Sequence, residues 1–317
     1  MVVGRTGRLG TMPACAPPSE APSPAPRWPG AEAAAGMAWR ASLTLAYRRE
    51  THAGTTRTLV RDRHDGPLRV LASLYPEAPT VCHNVLVHPP GGIVGGDALQ
   101  VDIEVGEGAH ALVTSAGATR FYRSLGETAS QTVHARVADG ARLEWLPLET
   151  LAYSGCLAEN RASFELAPLA QAIGWEVLAL GLPASNAAFE RGRFVQHLEL
   201  PGRWIERGVI DAAADQRLLD SPLGWAGQRV LGTLWIASGS RFDAALVEDL
   251  LEAARGACAA HPLDRFTGAS APHQGIVVLR LLGPRVEPVM QLMTQVWARW
   301  RERAWGLAAC VPRVWRT

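Results

Sequence analysis

The strongest constraint on this chain is a period of two. From about Leu43 to Ala212, apolar and polar residues alternate in short runs. Val101, Ile103 and Val105 alternate with Asp102 and Glu104, and Val133, Ala135 and Val137 alternate with Thr132, His134 and Arg136. A strand points successive side chains to opposite faces, so this alternation marks sheets with one buried face. Arg193–Leu200 and Arg203–Ile210 read as further strands. The runs are closed by glycine turns such as Gly106-Glu107-Gly108 and Asp139-Gly140. Two of these units repeat. Val105-Gly106-Glu107-Gly108-Ala109 and Val137-Ala138-Asp139-Gly140-Ala141 lie 32 residues apart, each between an alternating strand and another apolar one. A period of that size suggests stacked β coils. Two hairpins of a sandwich would produce the same pair.

The end of the chain changes period. Ser240 is placed to cap a helix, with Asp243 three residues on as in a capping box. Ala244, Leu246, Leu250, Leu251 and Ala254 then recur at helical spacing, and Pro262 stops the run. Gly275–Leu282 reads as a buried strand. Pro288 fits the first turn of a second helix. Val289, Met293, Val296, Trp297 and Trp300 form its stripe, and Gly306 ends it. Trp297, Trp300, Trp305 and Trp315 are concentrated here. Tryptophan is enriched at interface hot spots, but core packing is the expected fate of at least half of them. The opening differs again. Residues 1–36 are rich in Ala, Pro and Gly and are expected to be a disordered extension, because such composition buries too little to offset the entropy of ordering. Residues 37–317 then form a single domain. Met37 is an alternative start to Met1.

Composition removes several function classes. The net charge is +1, which gives no reason to expect a nucleic-acid partner. Every basic residue is Arg, and the absence of Lys excludes a phosphate-loop or Schiff-base lysine. The five cysteines, Cys15, Cys82, Cys156, Cys258 and Cys310, are scattered without a C-x-x-C pair. That argues against a zinc ribbon and fits a reducing cytoplasm. No apolar run is long enough to span a bilayer, so no membrane partner is expected. Zinc-protease, nucleophile-elbow and dinucleotide motifs are missing, which points away from an enzyme.

The densest signal is His88-Pro89-Pro90-Gly91-Gly92-Ile93-Val94-Gly95-Gly96-Asp97. Four glycines and two prolines force special backbone dihedrals, and Gly92 or Gly95 is expected where a β-carbon is disfavoured. The segment is either a tight corner or a rigid mount for His88 and Asp97. It resembles the H-P-P-G-G-x-x-G-G-D signature of the UreD (also UreH) family of urease accessory proteins. Gly66-Pro67-Leu68 and Tyr75-Pro76-Glu77 resemble that family's lead-in. Ala118-Thr119-Arg120-Phe121-Tyr122-Arg123-Ser124 resembles its A-T-K-x-Y-R-S stretch, with Arg120 for the commoner Lys. Leu143-Glu144-Trp145-Leu146-Pro147-Leu148-Glu149 resembles L-E-W-L-P-Q-E, with Leu148 for Gln, and Pro312–Thr317 resembles the ending. The likeness runs from about Trp39 to the C-terminus. It departs at Gly181–Ala187, where a G-R-x-x-x-G-E stretch is common and neither the Arg nor the Glu is present.

The resemblance implies a mainly β protein, a right-handed β-solenoid-like stack of strands with two helices near the C-terminus. It implies a non-catalytic scaffold and metallochaperone for nickel insertion into apo-urease. Such a scaffold binds UreF, through it the GTPase UreG, and the urease structural subunits, and homodimerises within the accessory complex in some arrangements. No cofactor is expected to bind tightly, nickel passing transiently through an internal path. Two other readings remain at this point. A hydrolase would use Ser115 or Ser154 with His83 or His88 as base. A purely structural β interaction module leaves the ten-residue loop unexplained.

For nickel, imidazole, carboxylate and thiolate are all suitable. Cys82 and His83 are more simply a buried small residue and a surface histidine. His88 and Asp97 are candidates to line an ion path, with Asp102 and Glu144 behind them. Asp102 shares a strand face with Glu104, which is outward in a sandwich and inward in a closed coil. Glu144 shares a face with Arg142, so simple charge pairing also explains it, and Glu149 is a similar case.

Overall fold

A sheet with one apolar face must bury it, and this chain does so by winding. The computed structural model describes residues 38–214 and 216–316, so the expected disorder of residues 1–36 lies outside the described residues. The first coil opens with β1 (Arg40–His52), which turns back as β2 (Thr55–Asp65) and continues through β3 (Arg69–Leu74) and β4 (Val81–Val87). Next come β5 (Ala98–Val105), β6 (His110–Ser115) and β7 (Thr119–Phe121), then β8 (Ala129–Val137), β9 (Arg142–Leu146) and β10 (Thr150–Ala152). β11 (Leu157–Leu166) and β12 (Gln171–Leu180) follow, and a hairpin of β13 (Arg193–Leu200) and β14 (Trp204–Asp211) ends the winding. A short α1 (Gln216–Asp220) leads to β15 (Val230–Ser238), α2 (Ala244–Ala259), β16 (Thr267–His273), β17 (Ile276–Gly283) and α3 (Val286–Trp305).

The strands form two facing sheets. The first runs β14-β13-β11-β8-β5-β1-β2, and the second runs β16-β17-β15-β12-β9-β6-β4-β3. Within the coils the neighbours are parallel: β1 with β5, β5 with β8, β8 with β11, and β11 with β13 on one side, and β4 with β6, β6 with β9, and β9 with β12 on the other. Parallel pairing of strands that alternate between two sheets is a β-solenoid, here of about four turns. The repeat seen in the sequence is its corner. Val105 pairs with Val137 across the coils. The N–H of Gly106, Ala138 and Ala167 donates to the carbonyl of Tyr47, Val105 and Val137 in turn. Each corner then closes alike, Ala109 to Gly106, Ala141 to Ala138 and Ala170 to Ala167. The third corner, Leu166-Ala167-Pro168-Leu169-Ala170, keeps the backbone pattern without a glycine, so a search for repeated residues misses it.

The two sheets differ in what covers them. The first buries Val101, Ile103 and Val105 inward and leaves Glu104 exposed, which gives clean alternation. The second is buried on both faces, inward against the first sheet and outward against α2 and α3. Trp145 and Trp235 belong to the inner core, while Ile173, Trp175 and Leu234 belong to the core shared with Trp297 and Trp300. A strand buried on both faces reads as a continuous apolar run, and Gln171–Leu180 does. Trp297, Trp300 and Trp305 are core residues, and half-buried Trp315 packs its ring on Trp175 and Trp297.

Both long helices fall where the sequence placed them, with two corrections. The N-cap of α2 is Asp243, whose carboxylate accepts from the Ala245 N–H at 2.7 Å, and not Ser240. The residue directly before the first helical turn is the one whose side chain reaches the free N–H groups. A third helix, α1, is only five residues long and carries no detectable period. Gly306 ends α3 in the left-handed conformation as expected.

Candidate functional site

The glycine-rich loop is the third side of the first coil. Ile93 forms a parallel bridge with Phe121, which β7 carries onto Ala152 of β10. The Ile93 N–H donates to the Arg120 carbonyl at 2.7 Å, and the Tyr122 N–H returns to Ile93 at 2.9 Å. The top of this short stack is Gly181, whose N–H donates to Ala152. The divergent stretch after it folds into a turn closed by a Leu182–Ala187 bridge. Two sequence motifs are thus complementary surfaces. A β-carbon on Gly92 would lie 2.1 Å from the Tyr122 ring, and one on Gly95 would lie 2.5 Å from the Ser124 hydroxyl. The left-handed positions are Gly91 and Gly96, not Gly92 or Gly95. The latter two are needed for close approach of the next coil rather than for their dihedrals.

Asp97 is buried and caps this loop. Its carboxylate accepts from Trp39 N–H at 2.8 Å and Val94 N–H at 3.0 Å. Pro89 and Pro90 are exposed at the loop's rim. His88 is half-buried, and burial lowers its imidazole below the ordinary range against the opposing pull of Asp97. A neutral imidazole is the form that binds metals. Asp102 lies on the outer face of β5, accepting from Gln100 at 2.8 Å.

Glu144 is fully buried at the junction of β9 with α3. Its carboxylate accepts from His110 Nε2 at 2.8 Å, Trp297 Nε1 at 2.7 Å and Arg301 Nε at 3.1 Å. Arg301 also bonds Glu77 at 2.6 Å, and Glu77 holds His83 at 2.7 Å. Arg301, fully buried, completes its contacts on the Ala308 carbonyl. Burial pushes Glu144 upward, but His110, Arg301 and Trp297 outweigh it and hold the carboxyl below its usual range. The partner of Glu144 is therefore Arg301, 157 positions away, and not its strand neighbour Arg142, which stacks over the Trp305 ring instead.

A second polar centre lies between the two sheets, and sequence reasoning did not single it out. Gln131, Asn160 and Gln196 occupy one column on successive coils of the first sheet. The Gln131 amide donates to Asn160 at 3.3 Å, and the Asn160 amide donates to Gln196 at 3.4 Å and to Glu176 at 3.0 Å. Glu176 comes from the inner face of β12, and its other oxygen accepts from Trp145 Nε1 at 3.0 Å. Both of these donors are neutral. Burial pushes its pKa up to about 7, outweighing the hydrogen bonds from the Trp145 indole and the Asn160 amide. Nearby on the inner core, Trp235 Nε1 has no hydrogen-bond partner among the described residues.

This column joins two cavities. One, of about 330 Å3, is lined by His88, Gly92, Ser115, Gln131 and Trp145. The other, of about 340 Å3, is lined by Glu176, Gln196, Glu206 and Thr233, and by the exposed Val209 and Leu218. Glu206 is held by Thr233 at 3.1 Å and Arg280 at 2.7 Å. Asn160 bridges them, touching Gln131 on one side and Glu176 and Gln196 on the other. A buried hydrogen-bonded carboxylate at the wall of a cavity can hold a cation weakly, without the multidentate cage of a tight site. Among the described residues no group of three or more His, Cys, Asp or Glu is arranged to hold a metal ion.

Ser115 shares the first cavity with His88, but neither serine proposed as a nucleophile hydrogen-bonds a histidine among the described residues. Ser115 donates to the Gly117 carbonyl and accepts from the Leu148 N–H, and Ser154 accepts from the Glu190 and Arg191 N–H groups. Cys82 is buried against Asn84, apart from His88. Glu149 lines a separate groove of about 800 Å3 beside α3. Among the described residues no helix is long and apolar enough to cross a membrane.

A family model described as UreD urease accessory protein matches residues 40–316. Similar proteins include a urease accessory protein UreD from Leptothrix cholodnii, 58% identical over 281 residues that cover 89% of this chain and 100% of that protein. One from Variovorax paradoxus is 56% identical over the same shares. Another, from Polaromonas naphthalenivorans, is 50% identical over 279 residues, 88% of this chain and 99% of that protein.

Proposed function

Because this chain belongs to the UreD urease accessory protein family, we propose that it is a non-catalytic scaffold of urease maturation whose interior offers nickel a path into apo-urease. In this reading it works in the cytoplasm, binds UreF and through it UreG, and contacts the urease structural subunits. Nickel is cargo here and is never held tightly.

The observation that carries the path is the Gln131–Asn160–Glu176 column between the two cavities. Amide oxygens and one carboxylate replace part of a hydration shell, and a single carboxylate lowers the cost of a divalent charge in a protein interior. His88, kept neutral by burial, stands at the first cavity. Asp97, Asp102 and Glu144 are less suited: the first is used by backbone N–H groups, the second faces outward, and the third is paired with Arg301 and hydrogen-bonded to His110.

The test is co-expression of Asn160→Leu with urease and the other accessory proteins. The variant should still co-purify with UreF and urease, and the urease it matures should contain less nickel per active site than wild type. Normal nickel content would remove the path from this column. Failure of the wild-type chain to co-purify with either partner would remove the scaffold reading itself.

A further inference from the structure

Each sheet has two ends, and three of these four edge strands carry devices that discourage pairing with another chain. β2 presents Arg57, Arg61, Asp62, Arg63, His64 and Asp65, all exposed. β3 breaks register between Val70 and Ser73, and β16 breaks register between Ser270 and His273 and contains Pro272. Charges, irregular register and proline are the usual means of blunting an edge. β14 has neither of the last two. It pairs with β13 in unbroken antiparallel register from Trp204 to Asp211 and ends its sheet.

The outward side chains of β14 are Ile205, Arg207 and Val209, all exposed, with Ile205 61% accessible. On the next strand Val195, opposite Val209, is buried, and half-buried His197, already paired with Glu199, lies opposite Arg207. No ion pair involves Arg207 among the described residues. An undefended edge thus reads apolar, basic, apolar.

We propose that β14 is a docking edge for another protein, which adds an extended segment of apolar–acidic–apolar alternation as a further strand. Main-chain hydrogen bonds would give the affinity, and alternate side chains the specificity. A carboxylate beside Arg207, flanked by apolar residues over Ile205 and Val209, matches the face in charge and in period. A second copy of this chain fits poorly. Antiparallel self-pairing that matches Ile205 with Val209 centres on Arg207 and sets it against its own copy, a like-charge contact. The edge lines the second cavity through Arg207 and Val209, so the docked segment would stand beside that cavity. The docking does not depend on what passes through the interior.

The test uses the full chain and two short labelled peptides, one alternating valine with glutamate and one valine with lysine. Fluorescence anisotropy should show the glutamate peptide binding at least about fivefold tighter. Hydrogen exchange should slow at Ile205–Val209. Arg207→Glu should reverse the preference, and Val209→Lys should weaken both peptides while thermal midpoint and circular dichroism stay unchanged. Equal binding of both peptides, no binding at millimolar peptide, or slowed exchange confined to other strands overturns the proposal. So does a concentration-dependent dimer that protects β14 without peptide, since it would make a second copy the occupant.

Discussion

Two buried glutamates on the second sheet show how neighbours decide what a carboxyl does. Glu144 has Arg301 and His110, stays ionised, and stabilises the fold above the ordinary carboxylate range. Its contribution is lost as pH falls through its depressed value. Glu176 has the opposite sign. Burial raises it to about 7, so the folded chain binds a proton that the unfolded chain releases at lower pH. The stability this gives is complete below the unfolded carboxyl value and is lost as pH rises through about 7. The span from an ordinary glutamate corresponds to about 3 kcal/mol. Glu176→Gln should therefore match wild type in urea unfolding near pH 4 and exceed it by up to about 3 kcal/mol at pH 8. A difference that does not change with pH would mean that Glu176 is ionised throughout. Of these two residues the sequence pointed only to Glu144, through its place beside Trp145. Glu176 was hidden because its strand, Gln171–Leu180, is buried on both faces and reads as a uniform apolar run. The available signal was the lone charge inside that run, which a protein interior tolerates only with partners.

At the scale of elements, the most legible parts were those that local chemistry fixes. Gly306 and the stripe through Trp300 located α3, and the alternation located β13 and β14 within a residue and the C-terminal parts of β5 and β8, each of which begins three residues earlier. What was not legible was mutual fit. His88–Asp97 and Ala118–Ser124 stood out separately, yet the first needs its glycines because the second lies against it. A single sequence marks a glycine without saying whether dihedral or space requires it. The contact has a measurable consequence. Gly92→Ala forces a β-carbon into the Tyr122 ring and should cost about 1–3 kcal/mol. In a Tyr122→Leu background the same change should cost clearly less, because the ring it strikes is gone. A double-mutant cycle by urea denaturation isolates the coupling. Strict additivity of the two changes would show that Gly92 is kept for another reason.

Over the whole molecule, winding does what neither sheet could do alone. It brings Gln131, Asn160 and Gln196 from three successive coils into one column, opposite a carboxylate from the facing sheet. The coil period was visible in the sequence, but the column was not, because its members are ordinary amides spaced by unequal coils. The winding also separates two kinds of acidic residue that sequence reasoning grouped together. Asp97 closes a turn at the coil's third side, whereas Glu176 lines the second cavity. These positions make opposite forecasts for nickel. Asp97→Asn keeps a side-chain oxygen for one of the two N–H groups it now serves, from Trp39 and Val94, at a cost of about 1 kcal/mol. It should mature urease to wild-type nickel content. Glu176→Gln keeps the shape and an oxygen for one of its two donors, Trp145 and Asn160, but removes the one carboxylate on the column. It should assemble with the same partners and yield urease poor in nickel. Metal content per urease active site, measured on complexes purified in parallel, decides between them. If Asp97→Asn is the variant starved of nickel and Glu176→Gln is not, the path runs past the glycine loop and the interior column is structural.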